Sequence, residues 1–393
     1  MALTIDTPLP TPTGWTTVGR VQEGDYLYDE MGYPTKVTHV SDTYEVDTYV
    51  DVAYGWGRKA RPEQSYLCSV DQEFYTLSYH RLYRLSNPHT RKDRTFKGML
   101  ERVPDNWPGW GYTRYNAFEK HTAEAITHTV KKRRSHGKRG YQEYYNHTTP
   151  TGFCLKNKDK VYDIHPYVMG VVLNYWNYEK KALRIMLGWY PFFRDHFKNL
   201  AGVDLVIHEE SRGKTRNTAY VWCSYEGLED LIPNNRVVPM EYLRGSEKDR
   251  VMLLRGLTDI MLYQHSSIRR SRSTIIFVHK YRPLTASVEE LVRTLGYPAY
   301  RIYADYDEKS IYTRHSTEWH PPIPPSSHPK LIVRNYKNTL RVGHDLERYV
   351  WKVHKATLIE EKKQVKKITV DSPYGVYLAG KLFLPVVGET HGS

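Results

Sequence analysis

Over the first eighty residues, apolar positions come in short alternating runs broken by turn formers, which predicts strands. Leu3-Thr-Ile-Asp-Thr-Pro-Leu-Pro-Thr-Pro-Thr-Gly-Trp15 alternates with prolines. Such a run suits edge strands and turns, because proline has no N–H for a central ladder. Between Val21 and Val37, Asp29-Glu-Met-Gly32 separates two apolar runs and predicts a turn between strands. From 161 to 335 the period changes. Residues 166–176 are apolar nearly all round, as a buried interface helix is. Lys181-Ala-Leu-Arg-Ile-Met-Leu187 alternates as a strand. Ser246, three residues before Asp249, opens a capped helix that runs through Leu257. Ser273–His279 predicts a strand and Ala286–Leu295 a helix closed by Gly296. Helix and strands therefore occur twice, which predicts an internal pseudo-repeat. Trp319-His-Pro-Pro-Ile-Pro-Pro-Ser-Ser-His-Pro329 reads as a rigid linker, and Lys367–Val386 returns to strands. The class predicted is α+β.

Composition adds a partner. The 393 residues leave room for two or three domains. Lys and Arg number 57 against 44 Asp and Glu, a net charge of +13 that favours polyanions. The 34 tyrosines suit strands and aromatic stacking. Cys68, Cys154 and Cys223 are widely spaced, which argues against a zinc site or a disulfide framework and fits a reducing compartment. The start has neither a basic nor an apolar leader region, and no apolar run approaches the ~18 residues that span a bilayer. The expectation is a cytoplasmic protein with no membrane partner. Residues 86–160 are polar, and Lys131, Lys132, Arg133, Arg134, Lys138 and Arg139 form a block that reads as a solvated loop and a ready phosphate contact.

Two segments carry a family resemblance. Tyr167-Val-Met-Gly-Val-Val-Leu-Asn-Tyr-Trp176 and Leu253-Leu-Arg-Gly-Leu-Thr-Asp-Ile-Met-Leu262 resemble the two motif helices of a LAGLIDADG homing endonuclease. Leu3–Val40 resembles the opening block of an intein, or Hint domain, and Val370-Asp-Ser-Pro through Tyr377-Leu-Ala-Gly380 its closing block. His147-Thr-Thr-Pro and Ile164-His-Pro-Tyr167 are similar to the linker that leads inteins into their endonuclease insert. The resemblance implies a β-rich Hint-like domain over 1–85 and 340–393. It implies a basic linker region over 86–160 and a pseudo-symmetric αββαββα endonuclease-like domain over 161–335. The expected assembly is a monomer with an internal pseudo-twofold axis, encoded by a phage or mobile element in a bacterial host.

The same resemblance marks losses. Aligned on Gly170 and Gly256, the metal-binding acids of the family fall on Tyr175 and Met261, and neither tyrosine nor methionine replaces a carboxylate on Mg²⁺. Asp259 matches an earlier acid of the motif, and Glu179 lies beyond the first helix. The first splicing nucleophile falls on Ala2, and an internal cysteine would fall on Lys367. The closing His-Asn falls on Val387 and Gly388, or on His391 and Gly392. The Thr-x-x-His that polarises the first peptide bond is matched by Leu77-Ser-Tyr-His80, with Thr76 one residue away. His80 and Asp259 are vestigial candidates, and no catalytic set or metal site is expected. Arg269, Arg270, Arg272, Lys280 and Arg282 lie around the strand after the second motif, where the family places groove-facing residues. The leading expectation is a protein that binds nucleic acid, double-stranded DNA first and RNA second, without splicing or cutting and without a cofactor. One rival is a working nuclease with displaced ligands and Mg²⁺. The other is a protein-interaction module, including a virion-associated one.

Overall fold

A computed structural model describes residues 1–55, 64–78, 119–128, 130–134, 141–145, 147–150, 154–211, 219–233, 235–258, 275–279, 281–296, 299–302, 315–319 and 350–389. They form a β-rich unit and a unit centred on helices, within the α+β class that the pattern predicts. No helix among the described residues is long and apolar enough to cross a membrane.

The β-rich unit draws on both flanks of the sequence. Its main sheet runs Val376–Ala379, Leu384–Val387, Glu73–Ser78, His147–Pro150, Val350–Ile359, Tyr49–Gly55, Gln64–Ser69, Leu3–Thr4, Lys363–Lys366 and Tyr44–Val46. Glu119–Thr122 adds to it beside Glu73–Ser78. Leu3 pairs Lys366, and Val40 of the Pro34–Val40 strand pairs Ile368, so early and late segments are zipped together. Alternation sets the faces: in Pro34–Val40, Thr35 and Val37 are buried while Pro34, Lys36 and Thr38 are exposed. The core below holds Leu3, Val52, Phe74, Trp351, Tyr377 and Val386. The predicted turn at Asp29–Gly32 is present. Asp29 Oδ1 accepts the Met31 and Tyr33 N–H groups at 2.9 and 2.8 Å, and Gly32 takes φ +84°.

Two readings of the 86–160 span change. By composition it is a linker, yet Glu119–Thr122 and His147–Pro150 both pair with Glu73–Ser78 in the main sheet. The basic run, a loop by charge, is the strand Val130–Arg134 paired with Tyr141–Tyr145, with Lys132 opposite Glu143. The tyrosine-rich partner strand supplies the β preference, and cross-strand pairing outweighs like-charge repulsion along the run.

At the centre of the second unit lie two helices, Pro166–Tyr175 and Glu247–Thr258. Ser246 Oγ accepts the Asp249 N–H at 3.3 Å and donates to the Asp249 carboxylate at 2.8 Å, the cap that the sequence predicts. A four-stranded antiparallel sheet follows the first helix and a three-stranded one follows the second. Each repeat also carries a further helix, Tyr190–Ala201 or Arg282–Thr294. The two central helices touch backbone to backbone. A methyl group on Gly170 would lie 2.3 Å from the Leu253 carbonyl oxygen, and one on Gly256 would lie 2.0 Å from that of Tyr167. Nothing larger than hydrogen fits at either place. Val168, Val172, Leu253 and Leu257, each 0% exposed, close the contact.

Two buried arginines, Arg244 and Arg293, join the units, and a third, Arg250, holds the segment between them. Arg244 donates to the Thr11 and Gly14 carbonyls, both at 3.0 Å, and pairs with Glu290 at 3.1 Å. Arg250 donates to the carbonyls of Gly245, Thr294 and Leu155. Arg293 reaches the Lys381 carbonyl at 3.3 Å and lies over the Trp351 ring.

Gly170→Ala and Gly256→Ala are each expected to cost about 3 kcal/mol, because overpacking here pushes on backbone. Gly188→Ala, with nothing within 4 Å of the added methyl, is expected to stay within about 0.5 kcal/mol of the parent. Urea denaturation of the three variants checks the difference.

Candidate functional site

The turn from Ser69 to Gln72 links the Gln64–Ser69 and Glu73–Ser78 strands and touches both flanks of the chain. Ser69 Oγ accepts the Ala2 N–H at 2.8 Å and donates to the Ala2 carbonyl at 3.2 Å. The Ser69 N–H also donates to that carbonyl, at 2.9 Å. Three residues on, Gln72 Nε2 donates to the Val387 carbonyl at 2.9 Å. Ala2 and Gln72 are each 1% exposed, so these contacts are sealed from water. Beside them opens a cleft of about 650 Å³ lined by Ser41, Tyr44, Ser69, Asp71, Lys367 and Glu389. Lys367 Nζ meets Glu389 at 2.9 Å, and this hydrogen bond holds the Glu389 carboxyl below its usual range and the Lys367 ammonium above its own. Cys68, next to Ser69, is fully buried; desolvation pushes its thiol far up, so it is no thiolate nucleophile.

Ser69-Val-Asp-Gln72 thus places a hydroxyl on Ala2 and, three residues on, an amide on Val387. Thr76 is engaged elsewhere, and His80 lies outside the described residues. Thr76 Oγ1, fully buried, meets His121 Nδ1 at 2.9 Å and His147 Nδ1 at 2.7 Å. His121 Nδ1 also faces the Glu119 carbonyl at 3.2 Å, and a carbonyl only accepts. His121 thus donates from Nδ1, and Thr76 Oγ1 is shared between it and His147 Nδ1. Strand register brings these three groups together, and no spacing in the sequence predicts their meeting.

At the end of the first central helix, Tyr175 is partly buried against the core of its unit. Asn174 beside it donates to the Leu257 carbonyl at 2.9 Å. Glu179 lies exposed in the turn that follows. Among the described residues no group of three or more His, Cys, Asp or Glu side chains is placed to hold a metal. A phenol and a committed amide do not fit a Mg²⁺ site, which takes carboxylate oxygens. Asp259 and Met261 lie outside the described residues, as do Lys138, Arg139, Arg269, Arg270, Arg272 and Lys280. Lys131, Lys132, Arg133 and Arg134 sit on the Val130–Arg134 strand. Arg282, grouped with a strand in the sequence, instead opens the Arg282–Thr294 helix, where Pro283 in the first turn favours helix. The sheet after the first central helix shows a further cation: Arg184, exposed, lies 4.1 Å over the Tyr220 ring.

No protein-family model matches the chain. The replicative DNA helicase DnaB of Mycobacterium intracellulare is 25% identical over 309 residues, 75% of this chain and 42% of that protein. DnaB of Mycobacterium leprae is 51% identical over 41 residues, 10% of this chain and 7% of that one. The chain spans less than half the length of these curated relatives. Among solved structures, the MchDnaB-1 intein is 34% identical, covering 19% of this chain and 52% of its own, with a TM-score of 0.17. The zinc-bound Msm DnaB1 intein splicing domain gives the same identity, share of this chain and score over 53% of its own length. Overlap at that score leaves the fold to be argued from the strand pairing itself.

Replacing Gln72 by Leu removes the buried donor on Val387, and replacing Ser69 by Ala removes the hydroxyl from Ala2. Each is expected to cost about 1–3 kcal/mol. Amide exchange should speed up over 384–389 in the first variant and over 2–5 in the second. Unchanged stability and exchange in both would mean that the turn does not hold the flanks.

Proposed function

We propose that the chain is an intein relative with a LAGLIDADG-type endonuclease insert, that it neither splices nor cuts, and that it binds double-stranded DNA. The observation that carries this reading is the Ser69–Gln72 turn, which holds Ala2 on one side and Val387 on the other. That is the arrangement of a splice junction with its reactive groups missing. Acyl transfer begins with a nucleophile on the first residue; a methyl group stands there. Gly388 stands where the cyclising Asn belongs, and Lys367 where an internal cysteine would. In this reading 1–85 and 340–393 form the Hint-like domain and 161–335 the endonuclease-like one. The strands Glu119–Thr122 and His147–Pro150 belong with the former.

The contact of Gly170 with Gly256 supports the endonuclease-like assignment, since two helices that touch through glycine make a pseudo-twofold interface. Such an interface needs no metal, so DNA binding is separable from cutting. The phosphate contacts of this reading are Lys131–Arg134 on their hairpin, with Arg269, Arg270 and Arg272 as base readers.

Flanked by foreign segments, the chain is expected to give no ligated or trimmed product by mass spectrometry. The double variant Ala2→Cys with Gln72→His, fused behind a foreign segment, is expected to release that segment on adding thiol. There the new thiol attacks the preceding carbonyl, the C–N bond of that peptide breaks, and the nitrogen leaves as the amine that Ser69 Oγ already contacts. A double variant that folds and stays intact would count against the junction.

Duplex binding is expected without scission in Mg²⁺ or Mn²⁺, with log affinity falling steeply against log salt. Alanine at Arg269, Arg270 and Arg272 together should weaken it by about 1–3 kcal/mol if one of them reads a base. Absence of any nucleic-acid binding in a low-salt gel shift would overturn the reading in favour of a protein partner.

A further inference from the structure

The segment Cys154–Asn157 runs between the two units and is gripped from both sides. From the β-rich side, the Gly32 carbonyl accepts the Lys156 N–H at 2.7 Å, and the Tyr28 hydroxyl donates to Asn157 Oδ1 at 2.7 Å. Gly32 sits so close that a methyl on it would lie 2.3 Å from the Cys154 carbonyl oxygen. From the helical side, the Leu155 N–H donates to the Thr294 carbonyl at 2.8 Å, Arg250 donates to the Leu155 carbonyl, and Lys156 pairs with Glu247 at 2.5 Å. The Leu155 side chain fills a small core with Tyr28, Leu378 and Phe383. This strap is a joint, and the Asp29–Tyr33 turn is the half of the grip that belongs to the β-rich unit.

Inside that turn lies a carboxyl that nothing else in the site uses. Glu30 is 3% exposed, and its Oε2 is sealed from solvent with no hydrogen-bond partner. A charge there is costly, because burial strips its hydration and no described residue hydrogen-bonds Oε2. We propose that Glu30 makes the seating of this turn on the strap, and with it the contact between the two units, sensitive to pH. The titratable groups acting on Glu30 or beside it are Asp29 in the same turn and Tyr75 on the Glu73–Ser78 strand, neither of them a cation. Asp371, across from Asp29, is committed to the Thr35 hydroxyl at 2.6 Å and the Lys36 N–H at 2.8 Å. The nearest lysine of the strap, Lys156, is held by Glu247.

Burial, reinforced by the Asp29 charge, pushes the Glu30 carboxyl from 4.5 to about 7. The seated turn therefore binds this proton more tightly than the open chain does. Its stabilising effect is complete below the ordinary carboxylate range, falls as pH rises from there, and is gone once pH passes the raised value.

Hydrogen exchange of the full chain, read by mass spectrometry over 28–36 and 154–157 and corrected for intrinsic rates, tests this. The opening equilibrium of both segments is expected to rise by up to about tenfold per pH unit between about pH 5 and 7, then level off. In Glu30→Gln, a neutral side chain of the same shape, both segments should stay protected at all these pH values. The direct titration of Glu30 by carboxyl-carbon NMR in the unaltered chain gives a measurement that does not depend on the variant folding. A flat exchange profile in the parent, a Glu30→Gln profile that tracks the parent, or a carboxyl titrating in the ordinary range would each overturn the proposal.

Discussion

Three guanidinium groups taken almost wholly out of water set the terms for the rest of this molecule. Arg244 and Arg250 are 0% exposed and Arg293 is 8% exposed. A guanidinium has five donors in a fixed plane and no acceptor, so burial is tolerable only where the surroundings supply oxygen at those angles. Most of that oxygen is backbone carbonyl, from the loop around Thr11–Gly14, from Leu155, from Thr294 and from Lys381. Carbonyls cannot swing as carboxylates do. Arg244 and Arg293 therefore fix the path of the chain in both units at once, Arg250 fixes the segment between them, and the orientation of one unit on the other follows from loop conformation.

Within the helical unit a different constraint rules, the lack of any side chain at two places. The approach of Gly170 and Gly256 leaves no room for a methyl, and the flanking Val and Leu residues pack around a contact that is already closed. Because the glycine contact lies away from the end of the first helix, a tyrosine can stand at 175 without disturbing it.

Features that rest on local pattern were legible in the sequence. The Asp29–Gly32 turn, the Ser246 cap and the strands of the tail all follow from neighbours within a few residues. What escaped depends on register between distant strands. Ser69 and Gln72 were hidden because a search for histidine lands on His80, whereas the contact is defined by which turn faces Ala2 and Val387. His121 and His147 meet at Thr76 only because two strands flank Glu73–Ser78. The basic run was read from its charge, while its partner Tyr141–Tyr145 decided that it would be a strand. Arg244 and Arg250 counted toward surface charge, and nothing local reveals that the fold buries them.

The pairing of Leu3 with Lys366 has a consequence for how the chain reaches this state. Those partners are roughly 360 residues apart, and closing a loop of that size costs entropy that no local contact repays at the moment of closure. Once the helical unit has formed around its own contiguous segment, that part of the loop is already folded and the two flanks are held closer than in an open chain. Folding should therefore run from the inside outward, with the sheet that joins the earliest and latest segments completed last.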